Sequence, residues 1–375
     1  MAGASAPCYP SAAVSDSSPR TVLVTGAAGV LGWPLSLALA RRGDAVLMMV
    51  RRNRRRNVRE RVDAFAALEP DVAGRLRILV GELAEEGILE ARARKRVLEQ
   101  ADTIIHCAAL SDPAADRALA YRTHVDGTVA LLALARELVG LRRFVHVSCT
   151  SVAGQHRGLW TEDMLLEGQA FASPAAESRL VAERRVRTSG LPFTIARPSQ
   201  LVAPDLASPN GLTHLLRLLL RVAGLPAPLR RVPLAPLGRC ARVDAVPVAW
   251  VVDSLLALMD SPQAEGGTFH LNDPHAPTVD EFLQRVCPAL GIAPPRADLP
   301  RRAASALWSG PWASPLRALA DQALNLPPET IAQLATCARV DPTRAERILR
   351  PMGLRAPRFD TWIDDAVEYA RVHLV

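Results

Sequence analysis

An α/β fold is predicted for this chain: a doubly wound parallel sheet followed by a smaller, mostly helical C-terminal lobe. Three observations carry that expectation. Short apolar runs alternate with helix-forming stretches along the N-terminal half. A glycine turn, Gly26-x-x-Gly29-x-x-Gly32, joins the first apolar run to the first helical pattern. Beyond Pro198 the text becomes rich in Pro and Leu and keeps helical spacing.

The strands expected in order are Thr21 to Val24, Ala45 to Val50, Leu76 to Val80, Thr103 to Cys107, Phe144 to Val147 and Phe193 to Ala196. Between them lie stretches such as Val129 to Val139, built from Ala, Leu, Arg and Glu, so right-handed crossovers and a parallel sheet follow. A helix around Leu212 to Val222 precedes a loop broken by Pro226, Pro228, Pro233 and Pro236. Val246 to Met259 and Gly267 to Leu271 read as a helix and a strand returning to the first lobe. Thr278-Val279-Asp280-Glu281 is a capping box opening a helix that Gly291 closes. Trp362, Ala366, Tyr369, Ala370 and His373 keep helical spacing to the end. The domains therefore interleave: a disordered extension over 1–19, a dinucleotide-binding (Rossmann) domain over 20–200 plus 240–272, and a substrate lobe over 201–239 plus 273–375.

The stretch Val22-Leu23-Val24-Thr25-Gly26-Ala27-Ala28-Gly29-Val30-Leu31-Gly32 is the dinucleotide fingerprint in its required strand-to-helix context. Gly26 makes the tight turn, Gly29 the close approach to the pyrophosphate and Gly32 the helix packing, with Thr25, Val30 and Leu31 completing the cradle. Unpaired N–H groups at the helix start favour an anion. After the second strand stands Arg51-Arg52 where a cofactor without a 2′-phosphate meets a carboxylate, which favours NADP(H). A solvated loop or a nucleic-acid patch is the other reading of the run Arg51-Arg52-Asn53-Arg54-Arg55-Arg56; its position makes a phosphate pocket of Arg51 and Arg52 and leaves the other arginines on the surface.

Several further motifs follow in order. They are Gly81-Glu82-Leu83, Asp102-Thr103-Ile104-Ile105-His106-Cys107-Ala108-Ala109, His124-Val125-Asp126-Gly127-Thr128, Phe144 to Gly154, Arg197-Pro198 and Val246-Pro247-Val248. With the glycine turn they resemble the extended short-chain dehydrogenase/reductase superfamily over residues 20 to 290, and most of all its thioester-reductase-like, male-sterility-type branch. The resemblance implies that Glu82 and Leu83 hold the adenine, that Ala108 and Ala109 lie beneath the nicotinamide ribose, and that Pro198 follows the sixth strand at the cofactor. His124 stands where the family has Asn.

Reductases of this family use a Ser or Thr after the fifth strand with a Tyr-x-x-x-Lys helix, in which lysine lowers the tyrosine pKa and tyrosine protonates the carbonyl oxygen. Matching Ser178, Ala182 and Glu183 to the family's Ser-Lys-x-x-Ala-Glu places Ala175 in the tyrosine slot, Arg179 in the lysine slot and Cys149 in the Ser/Thr slot. The chain holds only Tyr9, Tyr121 and Tyr369, and Lys95 is its single lysine, so no shift of register restores the pair. Ala175 should leave a gap where the tyrosine hydroxyl would sit. Cys149, Ser151 and Arg179 remain as catalytic candidates. Cys149 reads either as a small buried side chain or as a thiol activated by Arg179. Ser151 is favoured over Thr150 because strand alternation puts it on the side of Cys149. Arg179 can donate to a ribose hydroxyl or to an oxyanion but cannot give up a proton.

A formal charge of +7 carried almost wholly by arginine suits an anionic ligand or an acidic acyl carrier protein, and equally a solvated basic surface. The six cysteines are scattered without a C-x-x-C pair or clustered histidines, so neither a disulfide framework nor a metal site is indicated. No apolar run is long enough to span a membrane, and the Ala-, Ser- and Pro-rich start lacks the plan of a signal peptide, which makes the cytoplasm the default. Leu307-Trp308-Ser309-Gly310-Pro311-Trp312 reads as a pinned loop or as pocket lining. Three functions compete: an NADP(H)-dependent reductase of a carbonyl or carrier-bound thioester in secondary or lipid metabolism; a pseudo-reductase that binds dinucleotide as a regulator or complex subunit; and non-redox chemistry in the same cleft. No nucleic-acid partner is expected.

Overall fold

The computed structural model describes residues 19–83, 88–110, 116–203, 211–224, 241–294 and 338–374. The N-terminal extension, the proline-broken loop and the Leu307 to Trp312 segment lie outside the described residues.

Seven strands form one sheet: β1 (Thr21–Thr25), β2 (Ala45–Val50), β3 (Leu76–Val80), β4 (Thr103–His106), β5 (Arg143–Val147), β7 (Phe193–Pro198) and β10 (Gly267–Leu271). Their spatial order is β10-β7-β5-β4-β1-β2-β3, and every pair is parallel. This is the doubly wound order, with its reversal between β1 and β4, and the carboxyl ends of those two strands open the crevice where such sheets bind ligands. Both faces are covered, so the strands read as continuous apolar text. Successive residues of β1 serve opposite layers. Val22 and Val24 pack with α1 (Gly32–Arg41), α2 (Arg55–Ala66) and α9 (Val248–Asp260), whereas Leu23 packs with α4 (Ala91–Gln100) and α6 (Gly127–Arg136).

The second apolar cluster is helical and joins α8 (Gly211–Ala223), α10 (Val279–Ala289) and α12 (Ile363–His373). The capping box at its centre forms as expected: Glu281 N–H donates to Thr278 Oγ1 (3.2 Å) and Thr278 N–H to Glu281 Oε2 (2.7 Å). Gly291 takes φ of 67° behind α10.

Boundaries differ from expectation by one or two residues, because pairing rather than composition ends a strand. Residue Cys107 leaves the sheet after His106, while β7 runs on to Pro198 opposite Leu271. Two short parallel ladders were not legible in the sequence. One pairs β8 (Gln200–Val202) with β9 (Ala245–Pro247), and the other pairs β6 (Gly158–Trp160) with β11 (Ala338–Val340). Each has three residues per strand and a long intervening chain, so neither carries a local periodic signal.

Candidate active site

The glycine turn at the end of β1 is a place where side chains do not fit. Gly26 adopts φ of 68°, and a Cβ there would lie 2.8 Å from the backbone of Ala108. A Cβ on Gly32 would lie 2.2 Å from the Gly26 carbonyl oxygen, whereas Gly29 is less crowded, meeting that oxygen at 3.1 Å. The Gly29 N–H closes the turn on the Gly26 oxygen (2.9 Å). No side chain caps the N-terminus of α1, and its first turn carries no acid. An N-terminus of that kind offers its N–H groups to an anion in front of it.

The loops after β1 and β4 are tied through Thr25. Its hydroxyl oxygen accepts from Ala108 N–H (3.3 Å) and lies 2.8 Å from His106 Nδ1. Burial holds the His106 imidazole neutral, far below its usual pKa. The neutral ring takes the Thr25 proton on Nδ1 and donates from Nε2 to Thr128 Oγ1 (3.1 Å), which in turn donates to the His124 carbonyl. His124, in the family's Asn slot, clasps two elements. Its Nε2 accepts from Leu110 N–H (3.0 Å), and its Nδ1 donates to Ser178 Oγ (2.8 Å) on α7 (Pro174–Arg187). Burial first, then the charge of Arg179, pushes this imidazole down to about 2, so it is a fixed hydrogen-bonding bracket.

One cleft of about 860 Å³ runs along the carboxyl ends of the strands. Its wall brings together Thr25, Gly26, Gly29, Val30, Leu31, Gly32, Arg51, Glu82, Leu83, Ala108, Ala109, Cys149, Ser151, Arg179 and Pro198. Arg52 stands apart from the expected set: it is largely exposed and its guanidinium pairs with Glu90 at 2.7 Å. The turn after Arg51 explains the exchange. A single 3₁₀ turn, Arg52–Arg54, aims Arg54 back at the cleft, and α2 adds Asn57 and Arg61. Arg61 is held over the Trp33 ring at 4.0 Å and donates to the Ala28 carbonyl (3.3 Å). Among the described residues no carboxylate pairs with the guanidinium of Arg51 or Arg54. The arginine run was the visible signal; which of its members face inward is set by the 3₁₀ turn.

At the other end of the cleft Cys149 Sγ lies 2.7 Å from Ser151 Oγ. Alternation along a strand is not what brings them together, because the chain turns into a 3₁₀ segment at Thr150–Ala153 directly after Cys149. Arg179 donates through Nη2 to the Leu110 carbonyl (2.7 Å), and Cys149 is hydrogen-bonded to Ser151, not to Arg179. Ala175 opens no gap on this wall: it is 2% exposed, and its carbonyl accepts the Ser178 hydroxyl (3.1 Å). Neither Tyr121, Tyr369 nor Lys95 lines the cleft; Tyr121 sits under Arg117 and Lys95 faces Glu99 on α4.

Sequence reasoning missed the remaining wall, formed by Ser199, Arg242, Asp244, Asn272, Asp273 and Arg339. These residues come from the segments just before β8 and β9, the loop after β10, and β11, which meet only in the folded chain. Three buried polar atoms on the cleft wall, Ser148 Oγ, Ser199 Oγ and Asn272 Oδ1, have no geometrically formed hydrogen bond among the described residues. Buried polar atoms are usually hydrogen-bonded, and on a cleft wall such atoms stand where a ligand could meet them. Among the described residues no group of three His, Cys, Asp or Glu is placed to hold a metal, and no helix is long and apolar enough to cross a membrane.

Comparison with known proteins agrees with this geometry. Residues 24–255 match the NAD-binding family described as male sterility protein. A carboxylic acid reductase of Mycobacterium tuberculosis is 27% identical over 299 residues, which is 70% of this chain and 25% of that enzyme. The chain thus spans about a quarter of that relative's length. A 3-diazoavenalumate denitrifying reductase of a Streptomyces species is 31% identical over 73% of this chain and 83% of its own. Among solved structures, the terminal R domain from the myxalamid PKS-NRPS biosynthetic pathway superposes with a TM-score of 0.76 at 24% identity, covering 96% of this chain and 92% of that domain.

Proposed function

The chain belongs to the male sterility protein family, in the thioester-reductase-like branch of the extended short-chain dehydrogenases/reductases, and from that premise we propose that it is an NADP(H)-dependent reductase of a carbonyl or carrier-bound thioester in secondary or lipid metabolism. One observation carries the reading. The glycine cradle, two arginines that pair with no carboxylate among the described residues, and the Cys149–Ser151 pair share one cleft with Arg179. The crowded Gly26 and Gly32 fit a dinucleotide cradle, since they allow the tight turn and the close helix packing while Gly29 leaves bare backbone where a pyrophosphate has to approach.

In this reading Thr25, Gly26, Gly29, Val30, Leu31 and Gly32 hold the pyrophosphate against the start of α1. Arg51 and Arg54 face a 2′-phosphate, Glu82 and Leu83 flank the adenine, Ala108 and Ala109 support the ribose, and Pro198 borders the nicotinamide. The bound dinucleotide supplies hydride. Cys149 and Ser151 orient the carbonyl oxygen by hydrogen bonding, and the Arg179 guanidinium stabilises the charge that builds on it. An acyl chain on a carrier protein would enter from the Arg242 and Arg339 side, where the cleft is bordered by cations.

Calorimetry with NADPH and NADH, followed by nicotinamide absorbance with octanal, acetophenone and octanoyl-CoA, tests the reading. NADPH should bind more tightly. The double change Arg51→Ala with Arg54→Ala should remove about ten- to a hundredfold of that preference, the worth of a charge-assisted hydrogen bond. Equal affinity of the unaltered protein for the two cofactors would defeat the NADP(H) assignment. Tight NADPH binding with no oxidation across the panel would leave a dinucleotide-binding protein without turnover, the reading that Ala175 and Arg179 in the Tyr and Lys slots also fit.

A further inference from the structure

Reduction of a carbonyl needs a proton for its oxygen, and the cleft wall around Cys149 supplies no obvious donor. The Cys149 thiol and Ser151 hydroxyl are already 2.7 Å from each other, Arg179 cannot release a proton, and among the described residues no tyrosine lines the cleft. Two carboxyls do line it, Asp244 just before β9 and Asp273 just after β10. Their surroundings differ in kind. Both oxygens of Asp273 are occupied, Oδ1 accepting from His275 N–H (2.8 Å) and Oδ2 from Phe359 N–H (3.1 Å). Asp244 accepts one backbone bond, from Asp273 N–H to Oδ1 (3.2 Å).

Among the described residues no arginine, lysine or histidine forms an ion pair with Asp244. Arg242, two residues earlier, is turned to the Ala276 carbonyl. Arg339 on β11 and Arg179 on α7 stand elsewhere on the same wall. The groups facing the Asp244 carboxyl are Asp273, whose charge opposes a second one, and the neutral side chains of Ser199 and Asn272. Burial, aided by Asp273, lifts the Asp244 carboxyl to about 7 against the hydrogen bonds that favour its anion. A carboxyl kept protonated by its surroundings at the edge of a cleft is a recurrent general-acid arrangement.

We propose that Asp244 is the proton donor of this cleft. The inference rests on the reductase reading. As the carbonyl carbon gains hydride from the dihydronicotinamide, the carbonyl oxygen takes the proton from Asp244 Oδ and becomes a hydroxyl. The C=O π bond and the Asp244 O–H bond break, a C–H and an O–H bond form, and the nicotinamide leaves oxidised. The Asp244 carboxylate then regains a proton from water at the open side of the cleft. The donor form is present below the raised pKa and is lost as pH rises through it.

Infrared difference spectroscopy across about pH 5 to 8, spanning neutrality above the usual carboxylate range, reads the group without turnover. A carbonyl-stretch band of a protonated carboxylic acid should vanish with a midpoint near 7 in the unaltered protein and be missing in Asp244→Asn. Asparagine keeps an oxygen for the Asp273 N–H, and calorimetric NADPH affinity should stay unchanged. With octanal and octanoyl-CoA as probes, Asp244→Asn should lower kcat by about 10²- to 10⁴-fold, the usual worth of general acid catalysis, and abolish the fall in rate above neutrality. If NADPH is oxidised but the band is missing, or the variant turns over as fast as the unaltered protein, the Asp244 role is overturned and the reductase reading stands. If the band is present, NADPH binds and neither probe is reduced, both fall together. Burial lifts the Glu162 carboxyl to about 7 as well, so the band that disappears in Asp244→Asn, and that remains in Glu162→Gln, is the one read as Asp244; where Asp244→Asn unfolds the chain, a titrating band that remains in Glu162→Gln keeps the assignment and its absence there overturns it.

Discussion

Glu183→Ala is expected to cost about 3–5 kcal/mol of folding stability, the range for removing one partner of a buried ion pair. Glu183 and Arg197 are both fully buried, and the guanidinium donates from Nε to Oε2 (3.0 Å) and from Nη2 to Oε1 (2.7 Å). The same Arg197 donates to the Met164 carbonyl (2.7 Å) and from Nη1 to His270 Nε2 (3.0 Å). His270, pushed down to about 3 by burial and by Arg197, is a neutral acceptor there and donates from Nδ1 to the Asp341 carbonyl (2.8 Å). Removing the carboxylate strands a guanidinium with no water to replace it. Because a domain is typically stable by only about 5–15 kcal/mol, the urea midpoint should fall steeply, and Glu183→Gln, which keeps the shape, should fall less. A loss under about 1 kcal/mol for Glu183→Ala would show that water reaches Arg197 and that the pair is not what joins α7 to β7.

Gly32→Ala should damage the cofactor cradle more than any surface change in the chain. The added methyl carbon lies 2.2 Å from the Gly26 oxygen, 2.7 Å from its carbonyl carbon and 2.9 Å from Ala27 Cα, all backbone atoms that cannot rotate aside. Overpacking of this kind costs about 1–3 kcal/mol, and here relief requires moving the glycine turn itself. NADPH affinity should therefore drop by at least about tenfold, one factor of ten for each 1.4 kcal/mol taken from the bound state. Gly140→Ala, where nothing lies within 4 Å of the added carbon, is the matched control. Calorimetry on the two variants checks the expectation, and equal NADPH affinity in both would refute the role given to Gly32.

Much of the sheet was readable because its signals are local. Strand runs such as Ala45–Val50 and Gly267–Leu271 lie buried on both faces, and the capping box at Thr278 specifies a helix start within four residues. The setting of Arg52 was not readable, for the opposite reason. The choice between Arg52 and Arg54 as the inward-facing residue depends on one 3₁₀ turn after Arg51, which no composition encodes. Glu183 and Arg197 were visible as motif residues, but their bond joins α7 to β7 and has no footprint in either segment. Asp244 carried no signal, since its character comes from Asp273, beyond α9 in the chain, and from the Ser199 and Asn272 side chains beside it.

The sequence by itself determined the parallel α/β order, the glycine cradle and the family, because periodicity, turn chemistry and motif spacing are properties of short stretches of chain. Tertiary structure alone decided which arginines face the cleft, how Cys149 meets Ser151, and that the far wall is built from Asp244, Asn272, Asp273 and Arg339. Burial and electrostatic surroundings belong to positions in space, and the ladders that create those positions pair residues too far apart in the chain to leave a local pattern.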